Sequence, residues 1–258
     1  MKALIWDVDG TLAETELDGH RVAFNQAFES LGLPWRWDEA HYGRLLAVTG
    51  GRERLLHDMM SRTDAPVLLQ QRQALAGALH AEKNRRYAQL VERGAIGWRP
   101  GVLDLMHEAR ARGLRQAVAT TTSRSNLEAL LQSQFGADAA RWFEVRVCGE
   151  DVQRKKPDPE VYLIALQRLG LEPLEAVAME DSPGGAAAAR AAGLPVIVTP
   201  SRAFADATID GATAIGPGLH TRRDWRPALR PFGAEDGRVT LDDLLDWCAQ
   251  GDTVSQFA

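Results

Sequence analysis

The chain predicts an α/β protein: a doubly wound parallel sheet interrupted near its start by an all-helical insertion. Three observations carry that prediction. Short apolar runs recur along the sequence with helical patterns between them, the alternation from which parallel sheets are built. Each run is apolar at consecutive positions, as strands covered on both faces are. Residues 14–97, by contrast, carry helical patterns with no good strand among them.

The strands are read as follows. KALIWDV opens the chain, LRQAVATT spans 114–121, EAVAMED 175–181 and LPVIVTP 194–200, with WFEVRVCGED at 142–151 a weaker fifth. Helical patterns separate them at 101–113, 125–136, 159–170 and 184–193, and all four end on glycine, a common helix terminator. Within 14–97, helices are expected in GHRVAFNQAFESLG, WDEAHYGRLLAVTG, GRERLLHDMMSR and the long stretch from Ala65 to Gly94. An insertion placed after a strand end lies over the crevice where open α/β sheets bind ligands. The expected organisation is therefore a core of 1–13 and 98–258 with a helical cap of 14–97. In the tail, GATAI reads as a last strand and TLDDLLDWCAQ as a capped final helix. Residues 217–237 look like a loop, and the HTRRDWRPALRPFG stretch has no assigned role.

Composition narrows the function. At 258 residues, 45% of them apolar, the chain can bury a sizeable core. Its net charge of −5, with the two signs interspersed, argues against a general nucleic-acid binder. Cys148 and Cys248 have no metal-site spacing and read as reduced thiols. No basic-then-apolar leader opens the sequence and no apolar run could span a bilayer. A cytoplasmic protein without membrane or nucleic-acid partners is expected.

Polar residues gather where the core strands stop. Asp7 and Asp9 stand two apart at the end of the first strand and so project to one side. Two anions brought together require a counter-charge, or one of them holds a proton. The second strand ends in Thr120, Thr121 and Thr122, the loop after the next carries RKKPDP with Lys156, and EAVAMED ends in Glu180 and Asp181 before SPGG. Strand ends of a parallel sheet lie along one edge, so these groups can meet. Asp7, Glu180 and Asp181 offer hard oxygen ligands suited to Mg²⁺. With Lys156 they would accept a phosphate dianion. One aspartate could then attack phosphorus and the other exchange protons with the leaving group and water. A calcium loop starting at Asp7 fails, because Leu12 stands where the tight turn needs glycine.

DVDGT, Thr120, Lys156-Pro157 and EDS, in that order and each near a strand end, resemble the four motifs of the haloacid dehalogenase superfamily. The resemblance implies a Rossmann-like core and cap. It also implies Asp7 as nucleophile, Asp9 as general acid/base, and Thr120 and Lys156 on the phosphoryl group. The metal ligands would be Asp7, the Asp9 backbone carbonyl and Asp181, with Glu180 assisting. DGTLAETELDGHRVAFNQAF, TGGRERL, EKNRRY, RPGV and AVATTTS further resemble the CbbY-like phosphatases, in the phosphoglycolate-phosphatase and β-phosphoglucomutase branch. That likeness implies a Mg²⁺-dependent, monomeric phosphatase acting on a small phosphorylated sugar, with xylulose 1,5-bisphosphate the leading candidate. Carried over by position, His20, Arg52 and Lys83 are its cap residues for substrate. A phosphoglucomutase-like isomerase and a catalytically silent metabolite-binding regulator are the rival readings. The intact motif residues argue against the second.

Overall fold

A computed structural model describes residues 1–228 and 237–254. Part of the loop-like 217–237 segment, with the end of the HTRRDWRPALRPFG stretch, lies outside the described residues. The elements in chain order are β1 (Ala3–Trp6), α1 (Arg21–Ser30), α2 (Glu39–Leu45), α3 (Gly51–Ser61), α4 (Leu69–Glu92) and α5 (Val102–Ala111). There follow β2 (Arg115–Ala119), α6 (Arg124–Phe135), β3 (Val145–Val147), α7 (Glu160–Leu169), β4 (Ala176–Glu180), α8 (Pro183–Ala191), β5 (Val196–Val198), β6 (Ala214–Ile215) and α9 (Leu241–Val254).

Among the described residues six strands pair in parallel, in the order β3-β2-β1-β4-β5-β6. The expected doubly wound sheet is present, including the weak fifth strand and the short last one. Strand order reverses at β1, whose neighbours are β2 and β4. Such a switch point opens a crevice at the carboxyl ends of the strands. Both faces are covered, which is why the strands are mostly apolar. Ala3 and Ile5 join Ala117, Ala178 and Val196 under Val161, Ala165, Ala188 and Ala189 of α7 and α8. On the other face Trp6 donates to Gln116 Oε1 (3.1 Å), and Gln116 Nε2 donates to the Met106 carbonyl of α5 (3.1 Å). Both the oxygen and the nitrogen of this buried amide are hydrogen-bonded, so it costs the core little.

The chain forms two compact units. One holds the sheet and comprises 1–14, 98–120 and the chain from 140 onward; the other comprises 15–97 and 121–139. The second is all helix, with α6 packed on α4. Its core is aromatic: Trp37 lies 4.7 Å from Phe24 and 5.0 Å from Phe28 between ring centroids. Trp37 Nε1 and His41 both reach the buried Asp58, at 2.9 and 2.8 Å. A buried carboxylate needs such donors. In the sheet unit, α9 closes the fold through Trp247, stacked at 4.6 Å on Trp225, and through Glu108 of α5, which accepts from Arg238 and Leu241 N. Among the described residues no helix is long and apolar enough to cross a membrane.

Candidate active site

Strand register assembles the site. Trp6 is level with Val118 on one side and Met179 on the other. The next residues, Asp7, Ala119 and Glu180, therefore reach the sheet edge together. Asp7 N bonds Met179 O (3.0 Å), Thr120 N bonds Val147 O (3.0 Å) and Thr199 N bonds Glu180 O (2.9 Å), extending the ladders by one residue each. Polar side chains begin where the apolar ladder ends.

The Lys156 loop is held by the helix it precedes. Glu160, in the first turn of α7, accepts from Gln153 N and Arg154 N, both at 2.9 Å, and Glu160 N bonds Asp158 Oδ1 (3.0 Å). Those backbone bonds hold the Glu160 carboxyl below its usual range. The loop thereby delivers Lys156 Nζ to three acceptors: Asp7 Oδ1 at 2.6 Å, Glu180 Oε1 at 2.7 Å and the Ala119 carbonyl at 2.9 Å. Three N–H groups meet three oxygens, so the buried ammonium is satisfied. Burial pulls its pKa down, but Asp7 and Glu180 outweigh burial and hold it above the ordinary lysine value.

β4 ends on Glu180 and the chain continues DSPGG. Ser182 Oγ caps α8 by accepting from Gly185 N (3.1 Å), and Pro183 takes the first helical position, where its missing N–H costs nothing. A Cβ on Gly185 would collide with the Glu180 carboxylate. Gly10, at φ +85°, plays the same part beside Asp181, whose Oδ2 a side chain there would strike. The two glycines clear space for two acids.

Carboxylate oxygens of Asp7, Glu180 and Asp181 lie within 4.8 Å of one another, all three buried. Burial drives Asp7 up to about 8, helped by the charges of Glu180 and Asp9 and opposed by Lys156. Asp181 is driven well above the carboxylate range by burial first and then by Asp7 and Glu180. Its Oδ2 is buried without a hydrogen-bond partner. One lysine is too little charge for this cluster. A divalent cation fits: the donors are hard oxygens, one is orphaned, and the glycines leave room.

The structure thus brings together Asp7, Lys156, Glu180 and Asp181, with Thr120 buried at the end of β2. Asp9, half-buried, stands in the tight turn where Gly10 N bonds Ala13 O (2.8 Å). In the helical unit His20 and Lys83 meet around Tyr87: its ring is 4.4 Å from His20 and 5.3 Å from Lys83 Nζ, which also lies 5.3 Å from Phe24. Arg52 lies on the exposed face of α3. Two residues on, the buried Arg54 donates to Tyr42 Oη (2.8 Å) and the Leu45 carbonyl (3.2 Å). Tyr162 was not singled out from sequence. It is fully buried, donates to Glu180 Oε1 at 2.5 Å and lies with its ring 5.0 Å from Lys156 Nζ. Its place in the first turn of α7, six residues after Lys156, is the signal the sequence offers.

Residues 1–193 match the family model described as haloacid dehalogenase-like hydrolase. This chain is a haloacid dehalogenase-like hydrolase. Within that family it is similar to the CbbY proteins. It is 46% identical over 247 residues to the plasmid-encoded protein CbbY of Cupriavidus necator, covering 96% of both chains. It is 48% identical over 201 residues to protein CbbY of Rhodobacter capsulatus, covering 78% of this chain and 86% of the relative. Among solved structures, a mutant of Rhodobacter sphaeroides CbbY in complex with xylulose-(1,5)bisphosphate superposes with a TM-score of 0.79 at 41% identity, covering 84% of this chain and 94% of that one. The chain is a phosphatase of the haloacid dehalogenase type.

Proposed function

We propose that the protein is a Mg²⁺-dependent sugar phosphatase working through an aspartyl phosphate, with xylulose 1,5-bisphosphate as its substrate. The observation that carries the reading is the buried Asp7–Lys156–Glu180 charge triad beside the orphaned Asp181 oxygen. Asp7, Asp181 and the Asp9 carbonyl, with Glu180 assisting, would hold the cation. When bound, it supplies the positive charge that lets Asp7 act as an anion and neutralises phosphoryl oxygens.

In this reading Asp7 attacks phosphorus, and the bond from phosphorus to the sugar oxygen breaks as Asp9 donates a proton to that oxygen. Asp9 then takes a proton from the water that attacks the aspartyl phosphate, releasing phosphate and restoring Asp7. Thr120 and Lys156 hold the phosphoryl oxygens, Lys156 by exchanging one of its three present acceptors for phosphate. The bisphosphate is suggested by the ligand of the Rhodobacter sphaeroides protein. In the helical unit, a lysine ammonium buried against two aromatic rings gives a second phosphate something to meet. A monomeric cytoplasmic enzyme completes the proposal.

The test is a phosphate-release screen over sugar mono- and bisphosphates with Mg²⁺. Release from xylulose 1,5-bisphosphate well above the other sugars is expected. A rearranged phosphosugar without free phosphate would replace the reading by a mutase. Silence on every sugar would end it.

A further inference from the structure

Arg99 is buried at the edge of the same sheet, and three of its side-chain contacts are to backbone carbonyls. Its Nη1 donates to the carbonyl of Gly10, to the carbonyl of Thr199 (2.5 Å) and to Thr199 Oγ1 (3.1 Å); Nη2 donates to the Pro200 carbonyl (3.1 Å). Nε pairs with Glu14 Oε1 at 3.2 Å, and the backbone N–H bonds Leu12 O (2.8 Å). One side chain therefore ties the turn after Asp9 to the loop after β5. Burying a guanidinium is costly and draws its pKa down, with Glu14 and Asp181 opposing that shift. A buried charge is weak evidence of stabilisation alone. Its contacts here converge on the two backbones that flank Asp181.

The turn is tight on that side. Gly10 sits at φ +85°, and a Cβ there would meet both Asp181 and Ser201. Holding the Gly10 carbonyl fixes the peptide after Gly10 and, through that residue's two dihedrals, the Asp9–Gly10 peptide before it. We infer that Arg99 is a positioning residue for the cation site: it sets the spacing between the Asp9 carbonyl and the Asp181 carboxylate. The inference rests on the magnesium reading proposed above, and it assigns Arg99 no contact with substrate.

Lysine at this position keeps the charge but lacks the planar fork that spans several acceptors. Alanine leaves a void beside an existing cavity of about 290 Å³ lined by Glu14, Pro100, Thr199 and Pro200 among others, through which a free guanidinium ion can enter. Mg²⁺ affinity is to be measured by calorimetry on metal-stripped wild type, Arg99→Lys and Arg99→Ala, with thermal melts of each without metal. Positioning groups behind metal ligands typically govern about ten- to a hundredfold of affinity. Arg99→Lys should therefore weaken Mg²⁺ by at least about tenfold. In Arg99→Ala, guanidinium chloride well below denaturing concentrations should recover much of the loss, and sodium chloride should not. Mg²⁺ affinity of Arg99→Lys within about twofold of wild type would overturn the inference and leave the magnesium reading standing. Wild type that binds no Mg²⁺ would overturn both. If the alanine variant fails to fold, the lysine variant alone decides.

Discussion

At the scale of single residues, the site is a crowding of acids around one lysine. Replacing Asp7 by asparagine removes the attacking oxygen while preserving size. Turnover should fall by at least about a hundredfold, since removing a nucleophile leaves only binding and electrostatic assistance; residual phosphate release above that level would end the covalent mechanism. The same residue predicts a pH dependence of the metal-free fold. Asp7 titrates at about 8 when folded and about 4 when unfolded. Between those values the folded chain holds a proton that the unfolded chain releases, so this group's contribution is fully present below pH 4 and is lost as pH rises towards 8. Thermal melts of EDTA-treated protein across that window should fall more steeply for wild type than for Asp7→Asn. Equal slopes would show that burial does not tax Asp7 as described.

At the scale of elements, loops are aimed by the helices they feed. Glu160 straps 153–154 to the start of α7 and thereby aims Lys156, although it touches no reacting group. Glu160→Ala should lower kcat by about tenfold, because small misplacements of a catalytic group are expensive, while leaving Mg²⁺ affinity within about twofold. A variant with wild-type kcat would show that the loop is held in some other way. The strand ends were legible in sequence because apolar runs stop abruptly there. Arg54 and Tyr162 were not, because an arginine and a tyrosine on helical patterns look alike whether they face solvent or a buried carboxylate. Tertiary neighbours alone told Arg54, inside the helical unit, from the exposed Arg52.

At the scale of the whole molecule, the proposed function gives the chemistry to the sheet unit and the choice of substrate to the helical unit. If the helical unit recognises a second phosphate, Lys83→Ala and Arg52→Ala should each lower kcat/KM on a sugar bisphosphate by about ten- to a hundredfold, the worth of one charge-assisted hydrogen bond. p-Nitrophenyl phosphate, with no distal phosphate, should be spared. Equal losses on both substrates would assign these residues to folding instead. The C-terminal helix serves stability: Trp247 is fully buried on Trp225, and its Nε1 bonds the Pro227 carbonyl at 3.1 Å. Trp247→Ala should cost about 3–5 kcal/mol in urea unfolding with kcat unchanged; a loss of kcat in protein that remains folded would tie the tail to the site.

Sequence by itself determined the alternation of strands and helices, the place of the helical insertion and the four motifs. These are local patterns: apolar periodicity, glycine at helix ends, and acids or hydroxyls where a strand stops. It could not determine that α6 groups with 15–97, since packing partners are chosen by shape and not by spacing. Nor could it show that Arg99 clamps Gly10 to Thr199, which lie eighty-nine and one hundred positions away from it along the chain. Register decided the rest. A parallel sheet places Asp7, Ala119 and Glu180 at one level, and only that alignment turns scattered acids and a lysine into one buried charge cluster.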